Sequence, residues 1–229
     1  MIEKIVGPSV VSVDTRDVLN GTLFPEEEAV VANAVAKRRQ EYTTARLCAR
    51  RAMARLGLPA SPVLSGLRGE PLWPSGVVGS ITHCAGYRGA VLGRLSDAAS
   101  IGIDAEPNTH LTEGVLDAIS LAGERVWIRD LAVRAPDVCW DRLLFSAKEA
   151  VYKAWFPLVR SWLDFDDALI TVDHVTGTFT ARLLVPGPTL RGFAVIGFTG
   201  RWMVQDGLIL TAIVVGTGDG TRRPAGLLG

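Results

Sequence analysis

Apolar and polar positions along the chain switch between a helical and a strand period. Residues 26–56, EEEAVVANAVAKRRQEYTTARLCARRAMARL, carry apolar positions at helical spacing and run into Gly57 and Pro59, which predicts one long helix. Its acids come first and its bases last, as the helix dipole favours. Residues 61–76 are rich in Gly and Pro and read as a loop. Three period-two runs follow, VVGSITHC at 77–84, GAVLGRL at 89–95 and SIGIDAE at 100–106. Short turns join them, so they are expected to form an antiparallel meander. Residues 107–139 are mixed, with a short helix expected near 113–120. Residues 140–156, WDRLLFSAKEAVYKAWF, predict a helix stopped by Pro157. From 168 to 215 the strand period returns, and Asp206-Gly207 marks a hairpin turn. The tail, 217–229, is expected to be disordered.

The order helix, sheet, helix, sheet predicts an α+β protein. Two similar halves are expected, 1–110 and 111–229, although no internal sequence repeat is visible. The 229 residues suffice for a substantial core, and 48% of them are apolar. No apolar run approaches the ~18 residues of a membrane span. The first residues carry acids and lack the apolar core of a secretory signal, so a cytoplasmic location is expected. Cys48, Cys84 and Cys139 are odd in number and lack C-x-x-C spacing, which argues against a disulfide scaffold or a zinc site. His83 and Cys84 are neighbours, but adjacent strand residues point to opposite faces and do not easily share a proton. A formal net charge of zero argues against bulk nucleic-acid binding.

Chemistry concentrates in three places. In the run Ile101 to Pro107, strand alternation sends Ile101, Ile103 and Ala105 to one face and Gly102, Asp104 and Glu106 to the other. The two acids stand about 6.6 Å apart along the strand and repel each other unless something neutralises them. A hard divalent cation fits between them; so does a plain solvated acidic edge, and the short motif alone favours the plain reading. Gly102 leaves room on that face for a ligand or another backbone. In the helix Phe145 to Trp155, Ala147, Ala150, Val151 and Ala154 form a small-residue face suited to packing on a sheet. Lys148, Glu149, Tyr152 and Lys153 take the other side. Glu149 and Lys153 form an i,i+4 pair, which an ordinary surface helix also uses. The chain has four lysines against 20 arginines, and two of the four flank Glu149. On the first helix, Arg38, Arg46 and Arg50 fall near one face, either as a solvated stripe or as an anion site.

Read together, Ile101-Gly102-Ile103-Asp104-Ala105-Glu106 and, about forty residues later, Phe145-Ser146-Ala147-Lys148-Glu149-Ala150-Val151-Tyr152-Lys153 resemble the two-part signature of the 4′-phosphopantetheinyl transferases. The length is similar to the single-chain, Sfp-type members. The likeness extends to Ala36-Lys37-Arg38-Arg39 with Arg46, Gly69-Glu70-Pro71, Gly79 to His83, and Arg201-Trp202. The resemblance implies an α+β fold of two halves related by a pseudo-two-fold axis. It implies transfer of the phosphopantetheine arm of coenzyme A to a serine of an apo acyl or peptidyl carrier protein, releasing adenosine 3′,5′-bisphosphate. Fatty acid, polyketide, nonribosomal peptide or siderophore biosynthesis would be served. It implies Mg2+, with Mn2+ as a substitute, held by Asp104, Glu106 and Glu149, and a monomeric enzyme.

The same resemblance assigns Glu149 as general base, with Asp104 or a bound water as alternatives, and Lys148 and Lys153 as phosphate-facing. Arg38, Arg46 and His83 are assigned to the 3′-phosphate and adenine, with Thr82 beside His83 and Gly69, Glu70 and Pro71 beside the adenine. Either Ser65 or Arg68 occupies the place of a further phosphate contact. Two other readings share these residues. A nucleotide-binding module would not need three acids, and a metal-dependent phosphohydrolase would turn them on water.

Overall fold

The protein is described from a computed structural model covering residues 1–217. The part of the expected disordered tail beyond Thr217 lies outside the described residues. The chain begins with α1 (Glu3–Val6) and β1 (Val11–Thr15), followed by two helices, α2 (Pro25–Val31) and α3 (Ala36–Arg55). The single helix expected over 26–56 is therefore broken. Val35, at φ −60° and ψ 152°, is extended and restarts the chain as α3. The break moves Glu26, Glu27 and Glu28 into the first turn of α2 and leaves α3 with no acid in its first turn. Lys37, Arg38 and Arg39 instead stand at the positive end of the α3 dipole, which intensifies the positive field there.

A short ribbon, β2 (Leu64–Ser65) with β3 (Pro71–Leu72), bounds the Gly/Pro loop. Then come β4 (Val77–Cys84), β5 (Tyr87–Arg94) and β6 (Ala98–Pro107). The first two pair as expected, and β1 joins them in the antiparallel order β1-β5-β4. β6 departs from the expected meander. It pairs with the last strand, opening a five-stranded antiparallel sheet. On its other side, where β4 lies, hydroxyls stand in for a ladder: Ile103 N–H donates to Ser80 Oγ and Ala105 N–H to Thr82 Oγ1, both at 3.1 Å. Strand β6 is thus the seam between the two sheets.

Three helices follow, α4 (Val115–Ile119), α5 (Ala122–Arg134) and α6 (Trp140–Val159). Pro157 does not stop α6. It sits in the last turn, and the helix ends where Arg160 turns left-handed (φ 58°) and donates its N–H to the Phe156 carbonyl. Having no N–H, Pro157 removes one helical bond to the Lys153 carbonyl, and the helix runs only two residues further. A 3-10 turn at Phe165–Asp167 leads into β7 (Ala168–Asp173) and β8 (Thr178–Leu183). After the two-residue strands β9 (Thr189–Leu190) and β10 (Phe193–Ala194) come β11 (Gly197–Gln205) and β12 (Leu208–Gly216). The sheet order is β6-β12-β11-β8-β7, and Asp206 and Gly207 turn with positive φ of 51° and 76°, as a tight hairpin needs. The α+β expectation holds.

Alternation in β6 divides the interior. Ile101, Ile103 and Ala105 bury themselves with Leu208, Leu210, Tyr87, Ile2 at the start of α1 and Ile5 within it. The opposite face meets α6 antiparallel: Ser100 donates to the Ala154 carbonyl at 2.6 Å, and a Cβ on Gly102 would lie 2.0 Å from the Ala150 carbonyl oxygen. Of the two uses left open for Gly102, close approach of another backbone is the one realised. Ala147, Ala150, Val151 and Ala154 are all buried on this contact, as the small-residue face required. Helix α3 covers the other sheet with Cys48, Ala49, Ala52 and Met53.

Candidate active site at the seam

Helix α6 reaches β6 with its functional face turned to the acids. Residues 142, 149 and 153 lie at i, i+7 and i+11, on one side of the helix. Lys153 Nζ donates to Asp104 Oδ1 at 2.7 Å and to the Ile103 carbonyl at 3.2 Å. Arg142 Nη1 donates to Glu106 Oε2 at 3.1 Å, while its other nitrogens hold the Thr109 and His110 carbonyls. Asp104 Oδ1 also accepts from Thr82 Oγ1 at 3.3 Å. Its other oxygen, Oδ2, is buried with no hydrogen-bond partner among the described residues.

The electrostatics follow from this crowding. Burial, then repulsion from Asp104, pushes the Glu106 carboxyl up to about 7, against the pull of Arg142 and Lys153. Burial likewise raises Glu149; Lys153 opposes the shift and Asp104 adds to it. Burial alone would lower Lys153, but Asp104 first, and then Glu149 and Glu106, hold its ammonium above the ordinary value. Among the described residues no three acid, His or Cys side chains are gathered into a ready metal-ligand set. Asp104 and Glu106 each hold a cation of the protein instead. The donor chemistry still fits a hard divalent cation. A buried carboxylate oxygen lacks a partner, and two neighbouring carboxyls are raised in part by their repulsion from Asp104.

Two cavities meet at Lys153. The smaller, about 250 Å3, is walled by Arg38, Arg46, His83 and Asp104. Arg38 Nη1 donates to His83 Nε2 at 3.0 Å, which places the His83 proton on Nδ1 and leaves the ring neutral. Burial and the Arg38 charge lower the His83 pKa, against Glu41. Arg46 lies 3.9 Å over the Tyr42 ring, donates to the Val63 carbonyl at 2.9 Å and to Ser65 Oγ at 3.2 Å. Its fork is thereby fixed in direction before any anion arrives. The larger cavity, about 500 Å3, is walled by Trp73, Tyr152, Phe156, Glu70 and Glu149. Gly69 and Pro71 face both cavities. Gly69 has φ +82°, which the turn of that loop demands. The Glu70 carboxylate closes the same loop by accepting from the Arg68 N–H at 3.0 Å.

The structure thus gathers Arg38, Arg46, Gly69, Glu70, Pro71, Thr82, His83, Asp104, Glu149 and Lys153 along one cleft, while Glu106 lines neither cavity and is held by Arg142. Ser65 lies in the smaller cavity beside Arg46, while Arg68 points to the larger one, its guanidinium 5.8 Å over the Trp162 ring. Two cations depart from the reading of the sequence. Arg50 turns away to Glu27, 2.7 Å distant. Lys148, expected to face phosphate, is buried on the far side of α6. Its Nζ lies 2.9 Å from Glu124 Oε2 and also donates to the Phe165 carbonyl. A cation so enclosed has no path to the cleft. Burial and the nearby acids push the Cys84 thiol up to about 12, which disfavours a thiolate there.

Sequence reasoning did not single out Arg142 or Glu124. The i+7 relation of Arg142 to Glu149 was a usable signal. Nothing local marks Glu124.

A family model for the 4′-phosphopantetheinyl transferase N-terminal domain matches residues 26–93, and one for the 4′-phosphopantetheinyl transferase superfamily matches residues 100–195. The 4′-phosphopantetheinyl transferase Svp of Streptomyces mobaraensis is 60% identical over 201 residues, 88% of this chain and 82% of the relative. This chain belongs to the 4′-phosphopantetheinyl transferase family. PptT of Mycobacterium tuberculosis is 54% identical over 85% of the chain and 86% of its own length. Npt of Nocardia iowensis is 47% identical over 93% and 99%. The two family models abut near β6, the strand that carries the acids of this transferase across the seam. No helix is long and apolar enough to cross a membrane among the described residues.

Proposed function

We propose that this transferase moves the 4′-phosphopantetheine arm of coenzyme A onto a serine hydroxyl of an apo acyl or peptidyl carrier protein and releases adenosine 3′,5′-bisphosphate. The observation that carries this reading is the position of Lys153. It stands where the arginine-lined cavity meets the larger cavity, with Asp104 and Glu149 beside it.

In this account the nucleotide end occupies the smaller cavity. Arg38 and Arg46 meet the 3′-phosphate, the neutral His83 donates from Nδ1 at the adenine side, and the Gly69–Pro71 turn lets the backbone approach the base. Lys153 supports the pyrophosphate and stabilises the charge that grows on the leaving bisphosphate. Lys148 is left out of the contacts to coenzyme A, for the reason given above. Asp104, Glu106 and Glu149 are the residues that would hold Mg2+, or Mn2+ in its place. When bound, the ion supplies charge neutralisation to the pyrophosphate oxygens. Glu149, its basicity increased by burial, takes the serine proton directly or through a water as the Oγ–phosphorus bond forms and the bond to the leaving bisphosphate oxygen breaks. Thr82 does not reach for ligand in this scheme; it holds Asp104 and the β6 backbone.

We read the chain as two functional halves, 1–110 for the nucleotide and 111–229 for α6 and the second sheet, acting as a cytoplasmic monomer. Carrier-dependent release of adenosine 3′,5′-bisphosphate tests the reading. Release that requires the apo carrier supports transfer, and equal release without it points to hydrolysis instead.

A further inference from the structure

Two buried glutamates do the same work in two places. Glu27 is the third residue of α2 and has no exposed surface. Its carboxylate accepts the N–H of Phe24, which precedes the helix, at 3.0 Å, and the Val63 N–H at 2.8 Å. It pairs with Arg50 of the next helix at 2.7 Å, and Arg50 also donates to the Thr22 carbonyl. Glu124 is the third residue of α5 and is equally enclosed. It accepts the N–H of Leu121, which precedes that helix, at 2.7 Å, and the Ile170 N–H at 2.8 Å. It pairs with Lys148 of the next helix at 2.9 Å, and Lys148 also donates to the Phe165 carbonyl. Each glutamate thus ties a helix start, a later segment and a cation of the following helix. The correspondence pairs Lys148 with Arg50, a cation that stands apart from the cleft.

We propose that Lys148 is a positioning residue: held by Glu124, it fixes the rotation of α6 so that Glu149 and Lys153 face the cleft, and Lys153 alone of the two lysines meets phosphate. Neighbouring helical residues point about 100° apart, so anchoring 148 in the core commits 149 and 153 to the side where Asp104 waits. The anchor is rigid. The Lys148 side chain is 2% exposed, and its partner carboxylate is held by two backbone N–H groups from separate elements. A lost ammonium would leave Glu124 buried and unmatched, and the strain would be relieved by moving α6, which carries the catalytic face.

This inference deepens the functional reading and rests on it, so the test measures coenzyme A binding apart from turnover. Coenzyme A affinity is titrated calorimetrically with Mg2+ present, and kcat is measured on an apo carrier. Both are taken well below each variant's unfolding midpoint, so that loss of folded protein cannot imitate the effect. Lys148→Met is expected to lower kcat about tenfold or more while weakening coenzyme A only about threefold through the displaced Lys153, whereas Lys153→Met, which removes the phosphate contact itself, weakens coenzyme A about tenfold or more. Adding Glu124→Gln to Lys148→Met removes the unmatched charge and is expected to recover part of the lost kcat. Lys148→Arg, which installs the cation used at Glu27, is expected to keep coenzyme A affinity and more turnover than Lys148→Met; it carries the test should the Met variant not fold. The proposal is overturned if Lys148→Met or Lys148→Arg weakens coenzyme A as much as Lys153→Met does, or if Glu124→Gln recovers nothing. If the unaltered protein does not bind coenzyme A, the functional reading falls and takes the inference with it; binding by the unaltered protein and loss in the Lys148 variants sinks the inference alone.

Discussion

Lys153 Nζ lies 2.7 Å from Asp104 Oδ1, and the second oxygen of that carboxylate is buried without a partner. One ammonium therefore satisfies half of a carboxylate whose other half remains for a ligand. The same ammonium borders both cavities. Lys153→Met should reduce kcat/KM about 100-fold or more, the scale of losing one preorganised donor at a developing charge. Steady-state kinetics with coenzyme A as the varied substrate checks this. A loss below about threefold would show that Lys153 does not touch the reacting phosphates.

Glu106 sets a stability prediction for the metal-free protein. Its carboxyl is raised from 4.5 to about 7 in the fold, so the folded state binds the proton more tightly than the unfolded chain does. That contribution is fully present below pH 4.5 and is lost as pH rises through about 7. In chelator, the unfolding midpoint should fall across that window more steeply for the unaltered protein than for Glu106→Gln. Added Mg2+ should flatten the fall. Identical pH profiles for the two proteins would contradict the burial and repulsion assigned to Glu106.

Gly102 is fixed by the helix that crosses it. A Cβ there would stand 2.0 Å from the Ala150 carbonyl oxygen and 2.7 Å from the Ala154 nitrogen, both backbone atoms that cannot swing aside. Gly102→Ala should destabilise the fold by about 1–3 kcal/mol by forcing α6 from the sheet. Denaturant unfolding measures it. An unchanged midpoint would mean that α6 and β6 are not in this close contact.

Arg46 is braced by Tyr42, Val63 and Ser65 before any ligand arrives. A contact to the 3′-phosphate, far from the reacting phosphorus, contributes mostly uniform binding. Arg46→Ala should raise the coenzyme A KM about tenfold and change kcat less than about threefold. Dephospho-coenzyme A should be a poor substrate for the unaltered enzyme and should show little further loss in the variant. Equal use of dephospho-coenzyme A and coenzyme A would remove the 3′-phosphate from this cavity.

Much of the side-chain arrangement at the seam was legible because it depends on local periodicity. Alternation in Ile101–Glu106 correctly sent Ile101, Ile103 and Ala105 to the core and turned Gly102 and Asp104 towards α6, and the helical wheel of 145–155 correctly placed the alanines against a sheet. Lys148 was misread because the wheel gives directions and not neighbours. It could not say that α5 would bring a buried Glu124 to that side from 24 positions upstream. The break at Val35 was hidden because Ala32 to Ala36 continue the apolar pattern while the backbone is extended at one residue. The departure of β6 from the meander was hidden for a related reason. Two hydroxyls, Ser80 and Thr82, replace the expected ladder, and β12, a hundred residues on in sequence, supplies the real one. Pro157 misled because α6 carries on two residues past it despite the missing bond to the Lys153 carbonyl.

Glu149 carries the proposed chemistry and the most direct test. Intact mass is measured on an apo carrier protein after incubation with coenzyme A, Mg2+ and either this protein or Glu149→Gln, and on a carrier whose acceptor serine is replaced by alanine. The account predicts a gain of one phosphopantetheine on the serine carrier with the unaltered protein and none on the alanine carrier. It predicts a rate lower by about 100-fold or more with Glu149→Gln, although that variant still binds coenzyme A. No mass gain with the unaltered protein, or equal rates with and without the Glu149 carboxylate, would contradict it.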